Sequence, residues 1–214
     1  MKIKICGIRR PEDTEILNRC KPDYAGFVFA GTKRRVSPER AEELRKLLDP
    51  DIRTVGVFVN ENPENILLLA DKDIIDVIQL HGDETEEEIL FLKAWTEKPV
   101  IKAVRVRSRE YVSEMEKLSC DMLLLDTYKA GEYGGTGDAF DLSLLPDMRK
   151  PFLLAGGLTP DNIKGRLAGI KTLPFGVDIS SGAETDGVKD EQKILGFMRN
   201  VREFESSIYR KTED

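Results

Sequence analysis

The sequence predicts an α/β protein built as a single (β/α)8 barrel, the TIM-barrel fold. Three observations predict it in the 214-residue chain. Eight short apolar segments follow one another, most of them are separated by a helix-start signal, and their starts lie roughly 20 to 30 residues apart, the length of a compact βα unit. A doubly wound open sheet is the rival, but it usually has fewer strands and often carries a GxGxxG turn after the first strand. Here Cys6-Gly7-Ile8-Arg9 stands at that point, so we favour the barrel.

The predicted strands are apolar runs that stop at a polar residue or a glycine. In chain order they are the segment Met1–Ile8, which stops at Gly7, then Asp23–Phe29, Arg53–Val59, Ile74–Leu80, Pro99–Val104, Asp121–Asp126, Pro151–Ala155 and Pro174–Ile179. The predicted helices begin at a capping residue or a proline, because the first N–H groups of a helix lack intrahelical partners. These starts are Arg10-Pro11, Ser37-Pro38, Asn62-Pro63, Asp83 or Thr85, Ser108, Thr159-Pro160 and, for the last helix, about Asp190.

The first strand alternates between two kinds of residue. Ile3 and Ile5 lie on one face, and Lys4 and Cys6 on the other. In a barrel wrapped by helices the outward face is apolar, so Lys4 and Cys6 are predicted to point inward. A lone cysteine on a strand is usually an inert small hydrophobe. Whether Cys6 has a chemical role depends on the residues at the other strand ends. We expect Lys4 below Cys6, paired with a carboxylate.

Composition and charge limit the classes of function. Hydrophobic residues make up 40% and charged residues 34% of the chain, and the net charge of −6 has no basic footprint of the kind that binds nucleic acid. No apolar run suggests a signal peptide or a membrane span, so we expect a cytoplasmic protein. Three cysteines without a CxxC pattern indicate reduced thiols, and a single histidine excludes a His-rich metal site. We predict one barrel domain at 1–205 and a polar C-terminal tail at 206–214.

Polar residues stand at the predicted C-terminal strand ends, where barrels of this fold place their active sites. They are Cys6, Arg34, Arg35, Gln79, His81, Arg105, Asp126, Asp178, Ser180 and Ser181. Asp126 ends a run of three leucines, which is a costly place for a carboxylate unless it faces a polar cavity. Asp126 and Asp178 are also the two carboxylates that we expect as partners of Lys4.

Three late loops are rich in glycine or serine: 131–137, 156–158 and 180–182. Glycine lets backbone N–H groups approach an anion, and barrels often bind phosphate with the loops after strands seven and eight. We therefore predict a barrel of the sugar-phosphate-binding type. The predicted phosphate-binding residues are Gly135, Gly137, Gly156, Gly157, Ser180 and Ser181.

The strand-end motifs together resemble those of the phosphoribosylanthranilate isomerase family over nearly the whole chain. They are Lys-Ile-Cys-Gly at 4–7, Gly-Phe-Val-Phe at 26–29, Val-Gly-Val-Phe-Val-Asn at 55–60, Gln-Leu-His-Gly at 79–82, Leu-Leu-Leu-Asp at 123–126, Gly-Gly-Thr-Gly at 134–137, Leu-Ala-Gly-Gly-Leu at 154–158 and Asp-Ile-Ser-Ser-Gly at 178–182. One stretch departs from the family pattern, because Thr32-Lys33-Arg34-Arg35-Val36 replaces a serine, a spacer and the substrate-binding arginine. Spacing to Val36 selects Arg34, with Arg35 as the alternative.

The resemblance implies an isomerase of tryptophan biosynthesis. It would convert N-(5-phosphoribosyl)anthranilate to 1-(2-carboxyphenylamino)-1-deoxyribulose 5-phosphate by an Amadori rearrangement, without metal or cofactor. Its matched residues would be Asp126 as general acid, Cys6 as general base, and Arg34 and Asp178 as ligands of the anthranilate. The resemblance gives His81 no catalytic role, and we expect a structural or peripheral one. The expected partner is a phosphorylated small molecule, and the chain is expected to be a monomer or a homodimer.

Two kinds of alternative function remain open. One is another sugar-phosphate barrel enzyme, similar to indole-glycerol-phosphate synthase or to the histidine-pathway isomerase. The synthase would need a catalytic lysine and glutamate, and the isomerase a pair of aspartates at strands one and five, where this chain has Cys6 and Val104-Arg105. The other is an inactive barrel that serves as a binding subunit, against which the presence of both Cys6 and Asp126 argues.

Overall fold

Eight parallel strands close into one barrel in the computed structural model, which describes residues 1–31, 33–127 and 140–211. Each strand pairs with the next in sequence, and β8 pairs with β1 to complete the ring. The predicted (β/α)8 barrel is confirmed. The strands are β1 (Lys2–Cys6), β2 (Tyr24–Val28), β3 (Arg53–Phe58), β4 (Val77–Leu80), β5 (Val100–Val106), β6 (Met122–Thr127), β7 (Phe152–Leu154) and β8 (Gly176–Ile179).

Helices connect most of the strands and cover the outside of the barrel. They are α1 (Pro11–Cys20), α2 (Pro38–Leu47), α3 (Pro63–Asp71), α4 (Glu86–Trp95), α5 (Arg109–Met115), α6 (Ile163–Ala168) and α7 (Glu191–Lys211). The side chains of Ser37, Asn62, Thr85 and Ser108 accept hydrogen bonds from the first turns of α2, α3, α4 and α5. Of the connection between β6 and β7 only residues 140–151 are described, and their one helical element is the 3-10 turn Leu142–Leu144.

Two apolar layers lie on the two sides of the sheet. The larger layer is formed by outward-facing strand residues and the helices, and it includes Ile3 and Ile5. The smaller layer fills the inside of the barrel with Val55, Val77, Ile101, Ala103, Leu124, Leu153 and Ala155. Side chains alternate along a strand, so every second residue counted from a member of this inner layer points toward the barrel axis. At the C-terminal ends of the strands such residues can reach a ligand.

Two element starts differ from the sequence prediction because local turns take up the first residues. Strand β4 begins at Val77 and not at Ile74, since the Ile74 N–H still donates to the carbonyl of Leu69 at the end of α3 (3.1 Å). Helix α6 begins at Ile163 and not beside Thr159-Pro160. Thr159 and Asn162 form a side-chain turn there, in which the Thr159 N–H donates to Asn162 Oδ1 at 2.9 Å.

The C-terminal part of the chain contains two features outside the predicted pattern. Helix α7 continues through Lys211, so residues 206–211 of the predicted tail are helical, and the division into a domain at 1–205 and a tail stays a prediction. A short antiparallel hairpin, β9 (Glu184–Thr185) with β10 (Val188–Lys189), lies between β8 and α7. Within the described ranges no helix has the length and apolar character needed to cross a membrane.

Candidate active site

A cavity of about 460 Å³ opens at the C-terminal ends of the strands. It is lined by side chains and loops from seven of the eight strand ends, which the closed ring brings to one mouth. The sequence-predicted residues among them are Cys6, Arg34, Gln79, His81, Asp126, Gly156, Gly157, Asp178, Ser180 and Ser181. The predicted catalytic, substrate-binding and phosphate-binding residues that the structure describes therefore share one cavity.

Lys4 lies fully buried inside the barrel, beneath this cavity. Its Nζ donates to Asp178 Oδ1 at 3.0 Å, and the two residues are direct neighbours in the register between β1 and β8. Burial by itself would lower the pKa of Lys4, but the Asp178 carboxylate and the Cys6 thiol outweigh it, and the pKa of Lys4 lies above its ordinary value. Of the two carboxylates expected from the sequence, Asp178 is the partner.

Cys6 ends β1 and faces the cavity from a nearly buried position. Burial raises the pKa of the Cys6 thiol, because a thiolate loses its hydration there. Lys4 and Lys189 lower it and Asp178 raises it further, so that the net pKa lies above the ordinary value. A neighbouring lysine is therefore present, but its effect on the pKa of Cys6 is smaller than that of burial.

Asp126 ends the leucine run of β6 and points into the cavity. Its Oδ1 accepts the Thr127 N–H at 2.8 Å, and its Oδ2 lies 3.2 Å from His81 Nε2. On the other side of the ring, the Gln79 amide nitrogen lies 2.8 Å from His81 Nδ1. The His81 ring therefore lies between the Gln79 amide and the Asp126 carboxyl group and contacts both. His81 also lines the cavity.

Arg34 is the arginine that lines the cavity, and Arg35 lies on the outside of the barrel in a groove between α2 and α3. Arg34 donates from Nε and Nη2 to the two carboxylate oxygens of Glu184, at 2.8 and 2.7 Å. Lys189 Nζ contacts the same carboxylate at 2.8 Å. Burial opposes ionisation of Glu184, but the hydrogen bond from Arg34 and the charge of Lys189 outweigh it and lower its pKa to about 2.

Two of the three predicted phosphate loops lie together at the cavity. Gly156 and Gly157 follow β7 with positive φ angles of 78° and 59°, and Ser180 and Ser181 follow β8. A side chain at Gly156 would come within 2.4 Å of Thr127 Oγ1 and 3.0 Å of Asp126 Oδ1, so a glycine is needed there for both its backbone and its neighbours. Residues Gly135 and Gly137 of the third loop lie outside the described residues.

The chain matches a known protein family over most of its length. The family model for N-(5'-phosphoribosyl)anthranilate (PRA) isomerase matches residues 3–200. The chain belongs to this family. The N-(5'-phosphoribosyl)anthranilate isomerase of Endomicrobium trichonymphae is 49% identical over 201 residues, which are 94% of this chain and 98% of that protein. Family membership confirms the predicted isomerase activity of tryptophan biosynthesis over the synthase-like and histidine-pathway alternatives.

Solved structures of the family agree with the barrel. The crystal structure of phosphoribosyl anthranilate isomerase from Thermotoga maritima superposes with a TM-score of 0.84 at 36% identity, covering 94% of this chain and 98% of that one. A second isomerase structure has reduced 1-(o-carboxyphenylamino)-1-deoxyribulose 5-phosphate bound, and it superposes with a TM-score of 0.79 at 34% identity over 94% of this chain and 98% of that chain.

Sequence reasoning missed two residues that contact the lining of the cavity, and one contact of a third. Glu184 and Lys189 belong to the short β9–β10 hairpin, and in the sequence they look like ordinary surface charges. His81 stands at a predicted strand end, but the contact of its ring with Asp126 depends on the barrel bringing β4 and β6 to one mouth. The alternation that located Lys4 and Cys6 does not extend into such loops.

Proposed function

We propose that Asp126 is the general acid and Cys6 the general base with which this chain rearranges N-(5'-phosphoribosyl)anthranilate to 1-(2-carboxyphenylamino)-1-deoxyribulose 5-phosphate. The observation that supports the assignment is that a thiol and a carboxyl open into one cavity that also contains an arginine and two loops of the phosphate-binding type. Each group matches one requirement of the reaction.

The first step needs a proton on the ribose ring oxygen. Asp126 gives up that proton, the bond between the ring oxygen and C1 breaks, and the sugar opens to a Schiff base with the anthranilate nitrogen. The carboxyl group must carry that proton when the step begins. The Thr127 N–H and the His81 imidazole hold the carboxyl in one orientation.

The second step removes the proton from C2 of the sugar. The Cys6 thiolate takes this proton, the electron pair moves toward the Schiff-base nitrogen, and an enolamine forms. The enolamine tautomerises to the ketone, so C1 gains a proton, the C2 hydroxyl loses one, and no electrons leave the substrate. An ordinary thiol is only a few per cent ionised near neutral pH, and burial reduces that fraction for Cys6.

The remaining residues of the cavity hold the two charged ends of the substrate. Arg34 binds the anthranilate carboxylate, and Asp178, which lines the same cavity, helps to hold the anthranilate. The phosphate binds at Gly156, Gly157, Ser180 and Ser181, together with Gly135 and Gly137 of the third loop. A phosphorylated small molecule is thus the proposed partner. A monomer or homodimer in the cytoplasm, without a nucleic-acid partner, stays a prediction.

The test is a fluorescence assay with freshly made phosphoribosylanthranilate. The wild-type protein is expected to abolish the anthranilate-type fluorescence, and Cys6→Ala is expected to lose at least about 10²-fold in kcat. Cys20→Ala is the matched control, because Cys20 is also buried but lies in α1, outside the cavity. No loss of fluorescence with the wild type would instead favour the inactive barrel. Turnover near the wild-type rate in Cys6→Ala would remove the base assignment.

A further inference from the structure

The β9–β10 hairpin places two charged side chains beside the cavity in almost complete burial. The side chain of Glu184 is 8% exposed and that of Lys189 is 1% exposed. Charged groups are expensive to bury unless they are paired and hydrogen-bonded. Here each one is, since Glu184 contacts both Arg34 and Lys189, and Lys189 also donates to the Ser180 carbonyl at 3.0 Å.

The contact with Glu184 fixes the orientation of the Arg34 guanidinium. Nε and Nη2 form one edge of this planar group, and both donate to Glu184. The stem of Arg34 packs closely against Gly7. Its Cδ lies only 2.5 Å from the position that a Cβ would take at this glycine. Gly7 has a φ of +88°, which favours glycine, and the missing side chain leaves room for the arginine stem. The space beside Gly7 is therefore filled by Arg34.

On the other edge of the guanidinium, Nη1 donates no hydrogen bond to the residues that the structure describes. Its geometry matches a carboxylate, which a guanidinium binds through two parallel N–H donors. Two cations and one carboxylate also give the Arg34–Glu184–Lys189 cluster a net charge of +1. Without Lys189, Arg34 and Glu184 would neutralise each other, and a second carboxylate would gain little from binding there.

We propose that Glu184 and Lys189 are positioning residues that make Arg34 selective for a substrate with one carboxylate on its aromatic ring. Glu184 turns the open edge of Arg34 toward the cavity, and Lys189 keeps the cluster positively charged by one unit. This inference rests on the proposed function, because it takes the anthranilate carboxylate as the ligand of Arg34. It adds a source of specificity that acts through Arg34 and not on the reacting atoms.

The test compares two probes that differ only in the carboxylate. One is reduced 1-(2-carboxyphenylamino)-1-deoxyribulose 5-phosphate, and the other is the same compound made from aniline. By calorimetry, Glu184→Gln is expected to weaken binding of the carboxylate probe roughly tenfold or more, the size of one lost charge-assisted contact. Binding of the aniline probe should change less than about twofold. Equal losses for both probes, or none for either, would overturn the proposal.

The chain offers a matched control for the ion pair itself. Glu191 binds Arg19 with the same two-point geometry, at 2.9 and 2.9 Å, but on the exposed surface. Glu191→Gln should leave the affinities for both probes unchanged. In an Arg34→Met background the effect of Glu184→Gln should disappear if Glu184 acts through Arg34, and a full additional loss there would contradict that route.

Two further variants separate a loss of folding from a loss of positioning. If Glu184→Gln unfolds because Lys189 is left unpaired, Glu184→Gln/Lys189→Met removes both charges, and the same selective loss is expected of it. Glu184→Asp keeps the negative charge and should recover part of the affinity for the carboxylate probe. The two proposals fail differently: a wild-type protein that does not convert phosphoribosylanthranilate contradicts the function, whereas an active wild type with an unselective Glu184→Gln contradicts only the positioning role.

Discussion

The two sides of the cavity stabilise their reactive groups by different means. On the side of β1 and β8, Cys6 lies among charged residues: Lys4 with Asp178 beneath it, and Arg34 with the β9–β10 hairpin above. On the side of β4 and β6, Asp126 contacts a backbone N–H and the His81 ring, and it forms no ion pair with a lysine or arginine among the described residues. We refer to them as the charged side and the neutral side.

The difference shows what each reactive group needs. A thiol becomes a base only by acquiring charge, so nearby cations help it even though burial opposes them. A carboxyl acts as an acid only while it is uncharged, so a cation beside it would work against its role. The partners of Asp126 orient it without a lysine or arginine beside it. Apart from the two reactive groups themselves, the comparison predicts that substitutions on the charged side alter stability and pH dependence, and that those on the neutral side mainly alter rate.

The largest expected effect comes from removing the reactive group of either side. Cys6→Ala and Asp126→Asn should each lower kcat by about 10²–10⁴-fold. Their pH profiles should differ. Because the pKa of Cys6 is raised and the base must be deprotonated, wild-type kcat/KM should rise with pH through and beyond the neutral range. Asp126→Asn should keep that rise in its residual activity and Cys6→Ala should lose it; rate profiles from pH 6 to 10 with the same rise in both variants would contradict the assignment.

The second effect concerns the stability of the charged side. Lys4→Met leaves the Asp178 carboxylate buried without its partner, and this should cost about 3–5 kcal/mol in the free energy of unfolding. Lys2→Met on the same strand is the control, because Lys2 pairs with Asp23 in a half-exposed position and should cost less than about 1 kcal/mol. Urea unfolding measures both. Equal losses in the two variants would mean that burial of the Lys4–Asp178 pair does not increase its contribution to the free energy of unfolding.

A third effect is the acid sensitivity of the charged side. The pKa of Glu184 is lowered from 4.5 to about 2, a difference worth about 3 kcal/mol. A lowered carboxyl pKa stabilises the fold above pH 4.5, and the contribution is lost as the pH falls toward 2. Unfolding free energies measured between pH 6 and pH 2 should therefore decline less steeply in Glu184→Gln than in the wild type. Parallel declines would place the source of acid sensitivity elsewhere.

The smallest effect is expected on the neutral side. His81→Ala removes the contact with Asp126 Oδ2 and should lower kcat by roughly tenfold, the value of a single hydrogen bond. The free energy of unfolding should change by only about 1 kcal/mol. Steady-state kinetics and urea unfolding on the same preparation check both. A loss as large as that of Asp126→Asn would make His81 a partner in the chemistry and not an orienting group.

The barrel and its inward-facing residues could be predicted because their signal is periodic. Alternation along β1 and β6 placed Lys4, Cys6 and Asp126 on the inner face without any knowledge of their neighbours. A closed ring then brings all C-terminal strand ends to one mouth. The same reasoning placed Asp178 in the cavity and left only two candidates for the partner of Lys4.

The contacts that orient these residues could not be predicted in the same way. Arg34 and Glu184 are 150 residues apart, and neither belongs to a strand of the barrel. Local pattern cannot show that the β9–β10 hairpin folds over the loop after β2. The starts of β4 and α6 were misplaced for a related reason, because side-chain and backbone turns at Ile74 and Thr159 compete with the regular elements.

The Lys4–Asp178 pair also ties the site to the closure of the barrel. Lys4 is in the first strand of the barrel and Asp178 in the last, and they meet only across the seam where β8 pairs with β1. Bringing such distant residues together costs loop-closure entropy, which the native contacts must offset. A barrel without β8 in place would leave the Lys4 ammonium without its carboxylate. The same seam therefore closes the barrel, pairs the buried Lys4 and completes the surroundings of Cys6.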